Sequence, residues 1–287
     1  MNEESHRRHN ISGRIGGCEM RTTSLFFFFS IFIALNSTAQ SITELPIGKT
    51  VDFESSFLNE TRKLNIYLPS DFDSTKKYSV IYLLDGSIDE DFIHAVGLVQ
   101  FFTMTFQMPP VIVVGIANVD RKRDFTFATQ DTSLQREFPT AGHSEKFISF
   151  IEYELQPYIV NEYPVGPEKI IIGQSLGGLL ACEILLTRPH LFTTYFITSP
   201  SLWWDNESLL KNCDKYLSIE FSHTPDVYLS VGRDEHKVMI RDAKALYQKI
   251  KNKSSFDEVH FNLMPHEDHA TILHNSLYQG FLTYMKK

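Results

Sequence analysis

The sequence predicts an α/β fold in a single domain, with a mostly parallel central sheet and helices on both faces. Short β-branched apolar runs alternate with segments of helical length, and Tyr78–Leu84 and Val111–Ile116 are the clearest of these runs. Such runs are typical of strands that are buried on both faces of a parallel sheet. A serine in a tight glycine turn also stands between a third run, Ile170–Ile172, and a helical segment, Leu179–Leu186. Loops at the carboxyl ends of such strands are where functional sites form.

The composition is that of an ordinary globular protein. The chain has 287 residues, of which 22% are charged and 43% are hydrophobic. This length is sufficient for a large core, and the composition is not that of a disordered chain. The net charge of −8 disfavours nucleic acid or an anionic membrane as a partner.

The N-terminal region has the pattern of a secretory signal peptide. Leu25–Leu35 is an apolar run too short to span a bilayer comfortably, and Ser37–Ala39 supplies the small residues of a cleavage site. We therefore expect residues 1–39 to be a signal peptide region, with Met20 as an alternative start, and residues 40–287 to form the folded domain. An uncleaved anchor is the alternative. Cleavage predicts a secreted or periplasmic protein without stable membrane association.

The first elements are predicted to be an antiparallel hairpin. Residues 50–54 and 61–68 alternate or run apolar on either side of a polar segment, with Asn59 at the turn. The run 78–84 then begins the parallel part of the sheet. Residues 88–106 have helical tendency and connect this run to the next strand as a βαβ unit.

Residues 118–142 form a long polar connection, of a length that is more often functional than accidental. Residues 143–160 carry apolar side chains at helical spacing and lead into the strand before the serine. The remaining predicted elements are, in order, a strand at 191–197, a strand at 226–231, a helix at 238–251, a strand at 259–264 and a helix at 270–285.

Ser175 is the predicted nucleophile. It is the centre of Gly173-Gln174-Ser175-Leu176-Gly177, and a strand, a turn and then a helix are the context of a nucleophile elbow. Side chains two positions before and after the serine would collide with the strand and the helix, which explains the two glycines. The first N–H groups of the helix would face an oxyanion that forms beside the serine. An acid and a histidine should then follow in that order.

His269 is the predicted general base, because it follows the last strand and a serine hydroxyl needs a neutral imidazole within hydrogen-bonding distance. His266 is the local alternative, but it stands immediately after the strand. The acid is expected in the loop after strand 226–231, where Asp234 and Glu235 are adjacent. At most one of them can face His269. Glu235 is the preferred candidate, and a Ser–His dyad without an acid is a further alternative.

The oxyanion hole is expected to use two backbone N–H groups. One is the N–H of Leu176, the residue after the nucleophile. The other should come from the loop after strand 78–84, from Gly86 or Ser87. At Gly86 the missing side chain would let the backbone approach an ester closely.

A zinc site is the competing interpretation of the histidine-rich segment. His260 and the run His266–His269 are dense in metal-ligand residue types. Their spacing matches no helical pair of zinc-binding histidines, and no third cluster is evident. We therefore predict catalysis without a metal or another cofactor.

Several motifs together resemble the putative-esterase branch of the α/β-hydrolases, which includes siderophore, feruloyl and acetylxylan esterases and mycolyltransferases. The resemblance covers most of the mature chain and is closest to the ferric-enterobactin and salmochelin esterases. The similar segments are Tyr82–Gly86, Gly115–Ile116, Asp120–Arg121, Arg123–Thr126, Gly173–Gly178 and Ser199–Trp204.

The resemblance implies Ser175 as nucleophile, His269 as base and Glu235 as acid. It also implies that the loop Arg121–Thr126 and the pair Trp203–Trp204 flank the acyl pocket. Two arginines of that loop, Arg121 and Arg123, could hold an anionic substrate, and the tryptophans could stack on an aromatic one. The alternatives are a loop ion pair with Asp124 and ordinary packing.

These observations predict a serine carboxylic-ester hydrolase that acts through an acyl-enzyme on a small-molecule ester. A siderophore lactone, a feruloyl sugar and an acetylated sugar are all compatible with the predicted pocket. The alternatives are an acyltransferase on the same fold and a binding protein without catalysis. The oligomeric state and a pairing of Cys182 with Cys213 stay open at this point.

Overall fold

The computed structural model describes residues 40–218 and 221–284. All elements named below belong to the compact unit that spans Leu45–Lys287. The predicted signal peptide region, residues 1–39, lies outside the described residues. Within the described part of the chain, no helix has the length and apolar character needed to cross a bilayer.

The strands of the described residues form one eight-stranded sheet. They are β1 Lys49–Ser55, β2 Glu60–Tyr67, β3 Tyr78–Leu83, β4 Val111–Ile116, β5 Val165–Gln174, β6 Thr194–Thr198, β7 Asp226–Gly232 and β8 Val259–Met264. Their spatial order is β1-β2-β4-β3-β5-β6-β7-β8. The pairs β1–β2 and β2–β4 are antiparallel, and all other neighbours are parallel. The predicted hairpin and the mostly parallel sheet are confirmed, and Asn59 adopts a φ of 53° in the hairpin turn.

Helices cover both faces of this sheet. They are α1 Phe92–Met104, α2 Arg121–Phe125, α3 Thr132–Glu137, α4 Ser144–Phe150, α5 Gln156–Glu162, α6 Leu176–Thr187, α7 Trp204–Lys211, α8 Cys213–Tyr216, α9 Lys237–Ile250 and α10 Ile272–Tyr284. A π-helical turn, Ile151–Leu155, joins α4 to α5, and a short 3₁₀ helix, Pro189–Leu191, precedes β6.

Alternating side chains of each central strand supply the two halves of the core. In β3, Ile81 and Leu83 pack with α1 and α10, whereas Val80 and Tyr82 pack with residues of α4, α5 and α6. This alternation is the period of two that a pleated strand imposes. Because both faces are covered, β3 and β4 contain almost only apolar residues.

The structure adds detail that the sequence pattern did not predict. The predicted helix 143–160 is interrupted by the π-helical turn just before Pro157, which has no N–H to donate to the carbonyl four residues earlier. The long connection 118–142 contains two short helices, α2 and α3. At the start of α7, Asp205 and the two residues after it have φ angles of 50°, 53° and 63°. Left-handed backbone is costly for such residues, and hydrogen bonds from Thr129 and Gln130 to the Asp205 carboxylate help to offset the cost.

Both cysteines of the described residues are free thiols in the core. Burial raises the pKa of the Cys213 thiol to about 11 and that of the Cys182 thiol further. Both side chains therefore act as small apolar residues.

Candidate active site

Ser175 lies in a strained turn between β5 and α6. Its φ and ψ are 60° and −117°, outside the regions that a side chain normally adopts. A Cβ atom at Gly173 would lie 2.4 Å from the carbonyl oxygen of Gly177, so the strand and the helix can meet only if this position is glycine. The Ser175 N–H donates to the Thr198 carbonyl over 3.1 Å, and its carbonyl accepts from the Ser201 N–H over 2.9 Å. The turn is thereby fixed to the end of β6.

His269 connects the serine to a carboxylate. Its Nε2 atom lies 2.9 Å from Ser175 Oγ, and its Nδ1 atom lies 2.8 Å from Glu235 Oε2. The Gln174 side-chain amide donates to the His269 carbonyl over 2.5 Å. Further along the same loop, buried Glu267 accepts hydrogen bonds from the side chains of Thr271 and Asn275. These contacts hold the imidazole where it can accept a proton from the serine hydroxyl.

The structure brings Glu235, and not Asp234, to the imidazole. The Glu235 side chain is buried, whereas Asp234 is exposed and its N–H donates to the Glu267 carbonyl over 3.0 Å. Burial raises the pKa of the Glu235 carboxyl, but hydrogen bonds from His269, Ser199 and the Gly232 N–H outweigh it, so the pKa is lowered overall. Glu235 is therefore ionised at neutral pH and can stabilise a protonated imidazole.

Two serines after β6 contact this constellation without having been assigned a role from the sequence. The Ser199 hydroxyl donates to Glu235 Oε1, and Ser201 Oγ lies 3.4 Å from Ser175 Oγ. Both side chains are buried. The signal that could have indicated them is positional, because they follow a central strand whose carboxyl end borders the nucleophile.

The backbone N–H groups of Leu176 and Ser87 donate to no backbone carbonyl within the described residues. Leu176 is the first residue of α6, and the first N–H groups of a helix have no partner within it. The expectation for Gly86 is corrected, because its N–H already donates to the Ile116 carbonyl over 3.0 Å. Its missing side chain accommodates Gly115, whose Cα would lie 2.4 Å from a Cβ at position 86.

Arg121 holds the loop after β3. Its Nε and Nη2 atoms donate to the two carboxylate oxygens of Asp85 over 2.6 and 2.8 Å, and Nη2 also donates to the Gln174 carbonyl over 3.2 Å. Asp85 is buried and has a φ of 53°. Arg121 therefore connects the loop that carries Ser87 to the end of the strand before Ser175.

Arg123, which was predicted to bind substrate, lies elsewhere. Its Nε atom donates to Asp124 over 2.7 Å and its Nη2 atom to Glu60 over 2.8 Å. Buried Arg62 donates to the same two carboxylates. Arg123 lines a separate cavity with His143, and Ser175 does not line that cavity. The structure therefore shows the alternative interpretation for Arg123, an ion pair with Asp124.

A cavity of about 200 Å³ opens beside Ser175. Its lining includes Ser175, Leu176, Ser201, Arg121, Trp203 and Trp204. The buried Trp204 ring donates its Nε1–H to the Phe127 carbonyl over 2.9 Å, and Trp203 is half-buried. A larger cavity of about 710 Å³ lies near Tyr78 and Pro110, at the amino ends of β3 and β4, and contains none of the predicted site residues. The arrangement can bind a small acyl group against aromatic rings.

The histidine-rich segment does not form a metal cluster in the described part of the chain. No group of three or more His, Cys, Asp or Glu side chains there could hold a metal ion. His260 Nε2 lies 2.9 Å from Glu258 Oε2, and His266 is exposed in the turn after β8.

Comparisons with known proteins identify the family of the chain. The model of a family described as putative esterase matches residues 55–278. The ferri-bacillibactin esterase BesA of Bacillus subtilis is 33% identical over 213 residues, which cover 67% of this chain and 74% of that protein.

Two solved structures show the same architecture over most of the chain. The BES protein from Bacillus cereus has a TM-score of 0.75 at 27% identity, and the match covers 85% of this chain and 98% of that one. An IroE-like serine hydrolase from Shewanella oneidensis has a TM-score of 0.74 at 27% identity, with 83% and 80% covered.

Proposed function

Because the chain belongs to the putative-esterase family, we propose that it hydrolyses carboxylic esters with Ser175 as nucleophile, His269 as general base and Glu235 as the acid. The observation that carries the proposal is the unbroken chain of contacts from Ser175 Oγ through both ring nitrogens of His269 to Glu235, with distances of 2.9 and 2.8 Å. Nucleophile, base and orienting carboxylate are the three parts of activated serine catalysis.

The proposed reaction has two halves. Ser175 Oγ attacks the ester carbonyl carbon, and its proton moves to His269 Nε2. Glu235 stabilises the imidazolium, and the N–H groups of Leu176 and Ser87 donate to the oxyanion of the tetrahedral intermediate. When this intermediate collapses, the C–O bond to the alcohol breaks and the alcohol leaves with the proton from His269. Water then attacks the acyl-enzyme by the same route and releases the carboxylic acid.

We propose that the ester is of the siderophore type or is an aromatic or acetylated sugar ester. The name of the B. subtilis relative supports the first class. The aromatic rings beside Ser175 support an aromatic acyl group, which siderophore and feruloyl esters can both supply. A side-by-side panel of a catecholate siderophore lactone, a feruloyl sugar and an acetylated sugar would rank the three classes by kcat/KM.

The replacement Ser175→Ala tests the nucleophile. We expect it to abolish p-nitrophenyl ester turnover and labelling by a fluorophosphonate probe while the thermal unfolding transition is kept. Turnover retained at the wild-type rate would reject Ser175, and an unlabelled wild-type protein would favour the binding-protein alternative. Product analysis with and without an added alcohol separates hydrolysis from acyl transfer, because a transferase forms a new ester.

We also propose that the protein is secreted or periplasmic, from the signal-peptide pattern of residues 1–39. N-terminal sequencing of the protein from its native host is expected to begin at Gln40. A mature protein that still contains Leu25–Leu35 would contradict cleavage.

A further inference from the structure

The charges around the cavity beside Ser175 contrast with those of the whole protein. The chain carries a net charge of −8, yet the described residues that line the cavity include two cations, Arg121 and Lys122, and no carboxylate. A positive site in an acidic protein attracts negative charge locally. The contrast raises the question of which of the two cations is available to a substrate.

Arg121 is already neutralised. The buried Asp85 carboxylate accepts two hydrogen bonds from its guanidinium, over 2.6 and 2.8 Å. This geometry is the bidentate arrangement in which arginine and carboxylate match each other best. An anionic substrate that approached Arg121 would have to compete with this ion pair. Arg121 is therefore better suited to positioning the loop after β3 than to binding a charged substrate.

The Lys122 ammonium is the uncompensated charge of the cavity. Its Nζ atom lies 4.5 Å from the centre of the Phe138 ring, and Phe138 lines the same cavity. Within residues 40–218 and 221–284, Nζ has neither an ion-pair partner nor a hydrogen-bond acceptor. The backbone around it is fixed, since the Thr126 hydroxyl donates to the Lys122 carbonyl over 2.6 Å. The Lys122 side chain is exposed, and its charge lies over an aromatic ring of the cavity.

The walls of the cavity favour a planar group next to this charge. The ring centres of Phe138 and Trp204 are 5.9 Å apart, and those of Trp203 and Trp204 are 6.1 Å apart. A volume of about 200 Å³ is below the roughly 300–1,000 Å³ of pockets that enclose a drug-sized ligand. The cavity therefore suits one acyl group of a larger ester.

We propose that Lys122 is a specificity-determining residue that selects esters whose acyl group carries a negative charge on a planar ring. The anion, a carboxylate or an ionised phenol, pairs with Nζ while the ring packs against the cavity wall that Phe138 and the two tryptophans form. This inference rests on the proposed function, because it assigns the acyl group to the cavity beside Ser175.

The test compares two esters with the same leaving group, p-nitrophenyl 4-carboxybenzoate and p-nitrophenyl benzoate. The quantity measured is the ratio of their kcat/KM values, in which differences in protein quality cancel. We expect Lys122→Met to lower this ratio about tenfold, which corresponds to about 1.4 kcal/mol. Lys122→Arg should keep most of the preference, because it retains the charge. Higher ionic strength should weaken the preference of the wild-type protein more than that of Lys122→Met.

Lys146→Met is the matched control. Lys146 is also exposed, but it lines the separate cavity that contains Arg123 and His143. Its replacement removes the same charge from the protein and should leave the ratio unchanged. An unchanged ratio in Lys122→Met, or an equal fall of the ratio in Lys146→Met, would overturn the assignment of Lys122. The proposed function would still stand in that case if turnover of the esters depends on Ser175. Absence of Ser175-dependent turnover of both esters would overturn both.

Discussion

Replacement of Glu235 by glutamine is expected to lower kcat by about 10³- to 10⁴-fold while the fold is retained. The reason lies in the partners of the carboxylate. Glu235 Oε1 accepts from the Gly232 N–H over 2.7 Å and from the Ser199 hydroxyl, while Oε2 faces His269 Nδ1. A backbone N–H can only donate, so the oxygen of the new amide must stay beside Gly232 and its NH₂ group must face His269.

This orientation changes the tautomer of the imidazole. With an NH₂ group opposite, Nδ1 has to accept, and the ring proton moves to Nε2, the atom that lies 2.9 Å from Ser175 Oγ. An Nε2–H cannot take the serine proton. A loss of 10³- to 10⁴-fold corresponds to about 4–5.5 kcal/mol of transition-state stabilisation. The fold should lose only about 1 kcal/mol, because the bonds from Gly232 and Ser199 to the oxygen are kept.

The assay is steady-state hydrolysis of p-nitrophenyl acetate, with thermal unfolding of each variant as the check on folding. Asp234→Asn is the matched control, since Asp234 is adjacent but exposed, and its rate should stay within about twofold of wild type. A loss below tenfold in Glu235→Gln would refute the tautomer argument. An equal loss in Asp234→Asn would show that the choice between the two acids is wrong.

Three further predictions concern the position of the acid, the packing at Gly86 and a buried carboxyl group in α6. Ser199→Ala should lower kcat/KM about tenfold, because it removes one of the two hydrogen bonds to Oε1 of the charged Glu235; an unchanged rate would mean that Ser199 does not help to position the acid. Gly86→Ala should destabilise the protein by about 1–3 kcal/mol in urea unfolding, because the new methyl group would lie 2.4 Å from Gly115 Cα. Gly97→Ala, in α1 with open space around its Cβ position, should be neutral or stabilising, and equal losses in the two variants would contradict the packing argument. Burial raises the pKa of the Glu183 carboxyl to about 7, so ionisation favours the unfolded chain progressively between about pH 4.5 and 7 and to a constant extent above that range. We therefore compare the unfolding free energy of Glu183→Gln with that of wild type at pH 4 and at pH 8. The difference should shift in favour of the variant by up to about 3 kcal/mol between the two pH values. A difference that does not depend on pH would exclude this explanation.

The strands of the central sheet could be predicted because each strand is recognised from the composition of a few adjacent residues. A strand that is buried on both faces has to be apolar throughout, so Tyr78–Leu84 and Val111–Ile116 indicated parallel strands before any contact was known. Segments without such a regular apolar pattern were not predicted. The helices α2 and α3 lie in a polar connection, and the left-handed turn at Asp205 accepts hydrogen bonds from Thr129 and Gln130, which are distant in the sequence.

The sequence by itself determined the position of Ser175, because the glycine turn that the serine needs is formed by adjacent residues. It also determined that an acid and a histidine follow in that order at the ends of later strands. Which of two adjacent acids faces His269 was left to the tertiary structure, since that depends on how the loop after β7 packs against Glu267. Asp234 and Glu235 are adjacent and have the same local sequence context, but their side chains point in different directions. Contacts with distant segments therefore show which of the two acids faces His269.

The tertiary structure likewise decided what the charged and polar groups near the site can do. The N–H of Gly86 is bonded to Ile116, and Arg123 is paired with Glu60 and Asp124, so neither is available to a substrate. In contrast, the Lys122 ammonium has no such partner within the described residues. A sequence records that a donor or a charge is present, but its availability depends on which partners the fold brings within hydrogen-bonding distance.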